Sequence, residues 1–467
     1  MLTSGTQARL VPKNFCNDPA VQRLTATFTM EQWGTNAFGQ CKGISVRPLS
    51  RVSRLGAKYY LWAVADEACD GVVYGVEREE GGQREVDNAA RFGSRGQANG
   101  QFLHPASVTV DTTQYNTGSQ YFYVYVADSR NGRIERCVLN WSAAPRSLAY
   151  DGTLDLNLVN PVDVDCVTTQ DGGGAALLAV LDATMCQVTI LRVRSDLSNE
   201  VLATFGTRGR GQGQFSHPTG LCISPRNEGG YYVYVADQWN SRVVALAISN
   251  TGSQWQIAWS SEWHDESRSA GFEDVAASAP YGYVYATARF ANAIYVFKPD
   301  LGEPFYVRPG GVEFPRNLCI LGDEMAMTES WTAQSGIQCF RIVPNIRSIC
   351  IHSLFDAGKE SLRFSVQLEE LSGYADISIM DGDSVVRHLL ADTALNENAV
   401  YDFSWDGRAD AGELALPGYY ALRVSGSYKR DETDPDLIAV QSSTIRVKDR
   451  AGAARHPPRQ RPGVLRY

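Results

Sequence analysis

The sequence lacks most of the features by which membrane proteins and common hydrolases are recognised. No apolar run is long enough to cross a membrane, and the segment before about residue 26 holds no apolar stretch of signal-peptide length. There is no Cys-x-x-Cys pair, which disfavours structural zinc, and no Gly-x-Ser-x-Gly elbow. We therefore expect a soluble protein with no transmembrane segment, no structural zinc site and no serine hydrolase site.

Positive charge is also scarce. The chain has 43 Lys and Arg against 52 Asp and Glu, a formal net charge of −9. Because phosphate binding depends on clustered Lys and Arg, this balance argues against a polyanion as the main ligand. We expect no nucleic acid partner.

Internal repetition is what the chain does have. Residues 92–134 and 205–243 are near copies: each reads Phe-Gly-x-Arg-Gly, then Gly-Gln-Phe-x-His-Pro, then Tyr-Val-Tyr-Val-Ala-Asp with Asn and Arg three and five residues after the Asp. Weaker units with the same strand-ending tripeptide recur at a spacing of about 40 to 60 residues, as four-stranded blades require. The tripeptides end at residues 66, 128, 182, 237, 287 and 328.

These residues resemble the NHL repeat, a blade unit of six-bladed β-propellers. The resemblance implies a propeller over residues 26–343, with residues 1–25 as an N-terminal segment that could supply a ring-closing strand. The Asp, Asn and Arg of each good copy are expected to fix loops by hydrogen bonding.

A different strand pattern begins near residue 344. Alternating strands between Asp, Gly and Pro turns predict a small β-sandwich over residues 344–447, and residues 448–467 predict a disordered basic tail. Its Trp-Asp-Gly run at 405–407 and Pro-Gly-Tyr-Tyr run at 417–420 resemble the immunoglobulin-like domain of the flagellar hook-cap protein FlgD. This resemblance implies a bacterial protein that is extracellular or at the cell surface. The predicted fold class is all-β, a six-bladed NHL-type propeller followed by an immunoglobulin-like sandwich.

Several cysteines fit the repeat without disulfides. Cys166, Cys222 and Cys319 align with Ser45, Thr109 and Ala276 of the other units, so we expect three equivalent, buried, reduced thiols. Four others, Cys16, Cys41, Cys69 and Cys350, could form a disulfide that the sequence does not pair.

The residues just before each inner strand of a propeller line the mouth of its channel. The aligned units place a polar collar there: Gln40, Lys42 and Gly43; His104 and Ser107; Asn160 and Asp163; His217 and Thr219; Glu273 and Asp274; Arg316 and Asn317. We expect Lys42, His104, His217, Glu273 and Arg316 to contact a ligand.

Two enzyme interpretations of the collar stay open as alternatives. His104 and His217 lie two units apart, like the zinc ligands of propeller lyases, but the third position is Phe314. Asp163, Asp274 and Asn317 offer the oxygen atoms that calcium prefers, as in propeller lactonases. The alternative function is therefore a lactonase-like hydrolase or a lyase with a metal in the channel.

Aromatic side chains favour binding over catalysis. Trp239, Trp331 and Trp263 are expected in loops on the same face as the collar, where they could form platforms for a glycan or an extended peptide. We expect a non-catalytic binding or scaffold protein of the bacterial surface or secretome. Its ligand would be a glycan, peptide or protein, and it would need no cofactor.

Overall fold

The computed structural model describes residues 9–12, 41–49, 58–68, 70–80, 83–113, 120–143, 147–168, 175–226, 229–252, 254–277, 283–302, 305–307, 314–321, 324–331, 334–343, 345–350, 354–369, 373–382, 384–396, 399–427, 430 and 439–448. The chain divides into two compact units, one spanning Pro12–Arg341 and the other joining Met1–Val11 to Ile342–Tyr467. No helix in the described residues combines the length and the apolar character that crossing a membrane requires.

Six four-stranded sheets, numbered here as blades one to six, occupy the first part of the described chain. Their strands are β2 (Cys41–Leu49), β3 (Lys58–Asp66), β4 (Gly71–Glu80) and β5 (Gln83–Phe92) in blade one; β6 (Pro105–Asp111), β7 (Tyr121–Asp128), β8 (Arg133–Asn140) and β9 (Leu148–Thr153) in blade two; β10 (Pro161–Thr168), β11 (Ala176–Asp182), β12 (Gln187–Val193) and β13 (Asn199–Phe205) in blade three. The others are β16 (Pro218–Pro225), β17 (Tyr231–Asp237), β18 (Arg242–Asn250) and β19 (Trp255–His264) in blade four; β20 (Phe272–Ala277), β21 (Val284–Ala288), β22 (Ala293–Phe297) and β23 (Phe305–Val307) in blade five; β24 (Pro315–Leu321), β25 (Glu324–Trp331), β26 (Gln334–Val343) and β1 (Arg9–Pro12) in blade six. A short parallel pair, β14 (Thr207–Arg208) and β15 (Gln214–Phe215), precedes blade four.

The inner strands of these blades form a closed ring. β2 contacts β6, and the contacts continue through β10, β16, β20 and β24 back to β2. Apolar side chains of neighbouring blades pack together, so that Tyr74 of blade one and Phe122 of blade two share one buried cluster. The chain is therefore an all-β protein built on a β-propeller.

In the side chains that the structure describes, each second strand is almost wholly buried because a blade covers each of its faces. In β7, which reads Tyr-Phe-Tyr-Val-Tyr-Val-Ala-Asp, every residue after Tyr121 is buried. β-Branched and aromatic residues favour such a strand, and a run without polar alternation marks one that is covered on both faces.

One register relates all the inner strands. In blades one to five the first residue pairs with the last residue of the second strand, as Pro105 with Asp128 and Pro218 with Asp237, and a bulge follows at once. In blade six Pro315 pairs with Glu329, two residues before the end of β25, and is likewise followed by a bulge. The equivalent first residues are Cys41, Pro105, Pro161, Pro218, Phe272 and Pro315.

This register corrects the expected equivalence of three cysteines. Cys222 pairs three residues before Asp237, whereas the residue that pairs three before Asp182 is Asp165, so Cys166 lies one position further along. Because side chains alternate along a strand, Cys166 packs between blades two and three while Cys222 packs between blades four and five. Cys166, Cys222 and Cys319 are nevertheless buried free thiols, as expected. Of the four unassigned cysteines, Cys41 is buried, while Cys16, Cys69 and the side chain of Cys350 lie outside the described part of the chain.

In each of the two near-identical repeats, the carboxylate at the end of the second strand fixes the loop that precedes the inner strand. Asp128 Oδ1 accepts a hydrogen bond from the Leu103 amide at 2.8 Å, and its Oδ2 accepts from Asn131 Nδ2 at 2.7 Å and Arg133 Nε at 2.9 Å. The same three bonds join Asp237 to Ser216, Asn240 and Arg242 at 2.7, 2.8 and 2.8 Å. The expected loop-fixing role of these residues is confirmed.

The second unit contains two sheets around one core. A three-stranded sheet has the order β27 (Asn345–Cys350), β29 (Leu362–Glu369), β32 (Val400–Trp405), and a five-stranded sheet has the order β28 (Leu354–Phe355), β34 (Ala439–Val447), β33 (Gly418–Ser427), β30 (Gly373–Asp381), β31 (Ser384–Leu395). Phe364 and Trp405 of the first sheet share a buried cluster with Ile377 and Leu422 of the second. The Trp405 indole donates to the Arg408 carbonyl at 2.8 Å, so this tryptophan belongs to the core.

Replacing Asp237 with Ala should destabilise the propeller by about 3 kcal/mol, because the Arg242 side chain, which is only 1% exposed, would lose a buried carboxylate partner. Urea denaturation followed by intrinsic fluorescence measures the loss. Asp300→Ala, which removes an exposed aspartate, is the matched control and should change stability by less than about 0.5 kcal/mol. Equal effects of the two changes would contradict a structural role for Asp237.

Residues 344–447 expressed alone should unfold cooperatively and show a β-type circular dichroism spectrum. The reason is that the buried cluster of this segment is built from its own strands. A thermal melt of the purified fragment tests this, and a flat, non-cooperative trace would show that the segment does not fold by itself.

Candidate functional site

A cavity of about 390 Å³ lies inside the ring and is lined by residues of all six inner strands. Each inner strand is an edge strand of its sheet, so one of its edges faces this channel without a neighbouring strand. Unpaired backbone amides in a buried place must find other acceptors. Polar side chains in the channel are therefore needed as hydrogen-bond acceptors for these backbone amides.

Side chains of one blade satisfy the free edge of the next. Asp163 Oδ2 accepts from the Leu221 amide at 2.6 Å, and two residues further on Asp165 Oδ2 accepts from the Ile223 amide at 3.0 Å. The same relation joins two more pairs of neighbouring blades, with Asp274 accepting from Leu318 at 3.0 Å and Ser45 from Val110 at 3.0 Å. The channel carboxylates are thus part of ring closure.

Asp163 and Asp274 form a buried pair on blades three and five, each only 4% exposed. Burial, only partly offset by the hydrogen bond from Ser107, raises the pKa of Asp163 to about 6. Burial and then the charge of Asp163 raise the pKa of Asp274 well above its usual value. Between them lies Gly220, where an added Cβ would come against Asp274 Oδ1, so only glycine allows this approach.

Further along the channel Arg47 reaches across the ring. Its Nη2 donates to Asp165 Oδ1 at 2.9 Å, linking blade one to blade three. Burial alone would lower the pKa of Arg47, but the Asp165 carboxylate raises it. The positive charge of Arg47 therefore compensates the negative charge of Asp165, one of the carboxylates in the channel.

The expected calcium ligands meet, but their oxygens are engaged. Asn317 Nδ2 donates to Asp274 Oδ2 at 3.2 Å, and both oxygens of Asp163 accept hydrogen bonds from the protein. Within the described residues only Asp274 Oδ1 among these four carboxylate oxygens has no donor, and no three His, Cys, Asp or Glu side chains are grouped to hold a metal ion. Calcium needs six or more oxygen ligands, so these donors as arranged do not fit it.

The two histidines occupy equivalent positions two blades apart. His104 and His217 have φ of 64° and 50°, and Phe314 on blade six has φ of 51° at the same place. His104 Nε2 contacts Glu67 Oε1 at 2.5 Å, whereas the His217 ring stacks on Trp239. Each imidazole therefore has its own partner, and the third position is a phenyl ring.

Above the channel, charged side chains of blades one, five and six meet. We call Lys42, Glu67, Glu273, Arg289 and Arg316 the rim cluster. Lys42 Nζ contacts Glu67 Oε2 at 3.0 Å, while Glu273 contacts Arg316 at 3.3 Å and Arg289 at 3.7 Å. Burial alone would raise the pKa of Glu67, but hydrogen bonding to His104 and the charge of Lys42 lower it to about 2.

The rim cluster contains three of the expected ligand residues, Lys42, Glu273 and Arg316, and adds Glu67 and Arg289. These two additions occupy the loop that follows the second strand of blades one and five. On both blades the first residue after the second strand contributes a charged side chain to the rim cluster. The sequence comparison aligned the residues around the inner strands, so it did not predict Glu67 or Arg289.

Exposed aromatic rings lie beside the rim cluster on blades four and five. Trp239 is 68% exposed and stacks on His217 with a centroid distance of 4.6 Å. Phe290 is 63% exposed at the same loop position of blade five, and the glycine at the place of His217, Gly271, leaves room for its ring. The amides of both aromatic residues donate to the loop before the inner strand, at 3.1 Å each. We call Trp239, His217 and Phe290 the aromatic platform.

Phe290 was missed by sequence reasoning, although a signal existed. It follows the second strand of its blade by two residues, as Trp239 does, but the decayed Ala-Thr-Ala ending of β21 obscured the alignment. The Glu273 side chain connects the two positions, because Gln238 Nε2 donates to its Oε2 at 2.8 Å.

The expected loop position of Trp263 is wrong. Trp263 belongs to the outer strand β19, where it pairs with Val243. Its ring packs against Phe272, Tyr295 and Phe297 at 5.6 to 6.1 Å, because a long outer strand extends further than its polar sequence indicates. Trp331 ends β25, and its side chain lies outside the described part of the structure.

The fold and this site define a β-propeller protein. No protein family model and no curated protein sequence matches the chain. Similar solved structures include virginiamycin B lyase from Staphylococcus aureus, with 11% identity, a TM-score of 0.38 and coverage of 65% of this chain and 96% of that one. The β-propeller domain of Cps50 (Swd1) from Myceliophteria thermophila has 14% identity, a TM-score of 0.39 and coverage of 65% and 84%. Regucalcin, a calcium-binding protein from Agrobacterium tumefaciens, has 12% identity, a TM-score of 0.39 and coverage of 65% and 90%. At these values the similarities carry no argument about function.

Asp274→Asn should stabilise the protein at pH 7, because it removes one of two buried like charges and keeps an oxygen for the Leu318 amide. A carboxyl group with a raised pKa makes the folded state lose stability as pH rises from about 4 towards neutrality. The variant should therefore show a smaller loss across that range in thermal melts.

Asp163→Asn is the matched control. Both oxygens of Asp163 accept hydrogen bonds, so an amide NH₂ must face a donor, and this variant should melt lower than wild type at pH 7. The opposite ranking of the two variants would contradict the assignment of the unpaired oxygen to Asp274.

Proposed function

We propose that this protein is a non-catalytic binding protein of the bacterial surface or secretome, which holds a glycan or an extended peptide on the loop face of its propeller. The observation that carries the proposal is the aromatic platform. Trp239 presents 68% of its surface while His217 backs one face of its ring. Exposed rings held in place from behind are typical of ligand platforms, because they offer apolar area with little loss of side-chain entropy.

The bonding of the channel supports binding over catalysis. Asp163, Asp165 and Asp274 accept backbone hydrogen bonds across blades, which are structural contacts. A general acid or base needs a proton-transfer atom within reach of substrate, and Asp274 Oδ1 is the one unengaged oxygen of these groups in the described structure. A lactonase-like hydrolase or a lyase with a metal in the channel is the alternative that the experiment below distinguishes.

We also propose that the propeller belongs to the NHL type and the sandwich to the FlgD type. The repeated Asp, Asn and Arg network in blades two and four supports the first assignment, since both copies use the same bonds. The buried Trp405 beside the Gly407 turn supports the second, because an added Cβ at Gly407 would meet Ala357. The surface or secreted location rests on the FlgD resemblance.

Trp239→Ala should weaken ligand binding about 30-fold, because truncating a true aromatic hot spot costs about 2 kcal/mol. A combined glycan and peptide array identifies the ligand, and titration calorimetry measures the loss for Trp239→Ala, Phe290→Ala and Trp331→Ala. Tyr121→Ala is the control, since Tyr121 is 46% exposed at the opposite end of a second strand.

Binding should be unchanged by EDTA. Binding or turnover that disappears with EDTA and tolerates the aromatic changes would favour the metal-dependent channel enzyme.

A further inference from the structure

We propose that the ligand of the aromatic platform is an acidic glycan whose carboxylate is bound by Arg316 and Arg289 of the rim cluster. This inference rests on the proposed function and assigns the chemical class of its ligand.

The first argument is donor capacity. Glu273 is the carboxylate that contacts both Arg316 and Arg289, at 3.3 and 3.7 Å. A guanidinium carries five N–H donors, and among the residues that the structure describes no acceptor faces the buried Nε atom of either arginine. The side chains are also restrained, with 11% and 27% exposure. Two largely buried guanidiniums therefore share one carboxylate, which leaves donors for a second.

The second argument is electrostatic. Burial, and then the charge of Arg316, lower the pKa of Lys42, although Glu67 acts in the opposite direction. Burial and the charge of Arg289 lower the pKa of Arg316, although Glu273 acts in the opposite direction. Three cations face two carboxylates here, and Glu67 is shared with His104. A ligand anion would relieve this repulsion.

The third argument is position. The Arg289 guanidinium lies 5.9 Å from the centre of the Phe290 ring, and Gln238, next to Trp239, is hydrogen-bonded to Glu273. Charged and aromatic groups therefore form one continuous surface across blades four to six. A sugar ring can stack on an aromatic face while its carboxylate, at the ring edge, accepts paired hydrogen bonds from arginine.

A glycan fits this surface better than a peptide. Extended peptides gain affinity by pairing with a free strand edge, but in blades four and six amides of the inner-strand edge already bond to side chains of the preceding blade. The platform offers flat rings, which match the faces of pyranose rings.

The test uses the full chain and a panel of uronic acid oligosaccharides, each beside its carboxyl-reduced neutral counterpart, together with acidic peptides. Wild type should bind the acidic form of one pair at least ten times more tightly than the neutral form by calorimetry. The preference should shrink when salt is raised from about 50 to about 500 mM, since screening weakens charge attraction.

Arg316→Gln should reduce the preference for the acidic sugar at least threefold, because Arg289 alone then remains to bind the carboxylate. Glu273 keeps Arg289 and Gln238 as partners, so the variant should melt like wild type. Arg95→Gln is the matched control, because Arg95 is a 77% exposed arginine outside the rim cluster whose loss removes the same charge.

Each possible result supports or overturns either the acidic-glycan inference or the proposed function. Equal binding of acidic and neutral sugars, lost in Trp239→Ala, would overturn the acidic-glycan inference and keep the proposed function. Binding of acidic peptides alone would overturn the inference in favour of a peptide ligand. Binding of no sugar and no peptide by wild type would overturn both.

Discussion

The structure depends on how the open edges of six inner strands are satisfied. Each inner strand turns an unpaired edge towards the channel, where burial makes a missing hydrogen bond costly. In blades two, four and six, side chains from the preceding blade provide acceptors, as Asp163 and Asp165 do for Leu221 and Ile223. Neighbouring blades are thereby joined by hydrogen bonds at the channel as well as by apolar packing.

That requirement also explains why buried carboxylates occur in a channel without an obvious catalytic arrangement. Charged oxygens are strong acceptors for backbone amides, but each one pays for desolvation. The pKa of Asp163 is raised to about 6, which records this cost. Accessible side chains instead lie in the loops after the second strands, as Trp239 and Phe290 do, and in blades two and four these loops are held by the Asp128 and Asp237 networks.

Much of the fold was predictable from sequence, because the repeat carries both strand propensity and loop chemistry in one pattern. The all-β propeller is confirmed, whereas Cys166 was misplaced by one residue, since blade three carries Asp165 where a small residue was expected. Trp263 was misplaced because outer strands have no repeat signature to mark their length. Phe290 was missed because blade five lost the Val-Ala-Asp ending that marks its loop. Contacts between blades, such as Glu67 with His104, depend on ring geometry that no single repeat contains.

The loop position two residues after each second strand links these observations. It holds Arg130 in blade two, Trp239 in blade four and Phe290 in blade five, and in all three the backbone amide donates to the loop before the inner strand. The backbone is therefore conserved in geometry while the side chain is free to vary. Such positions around one channel mouth let a propeller vary its surface without changing its core, which is the physical reason for placing the proposed ligand at the aromatic residues of blades four and five.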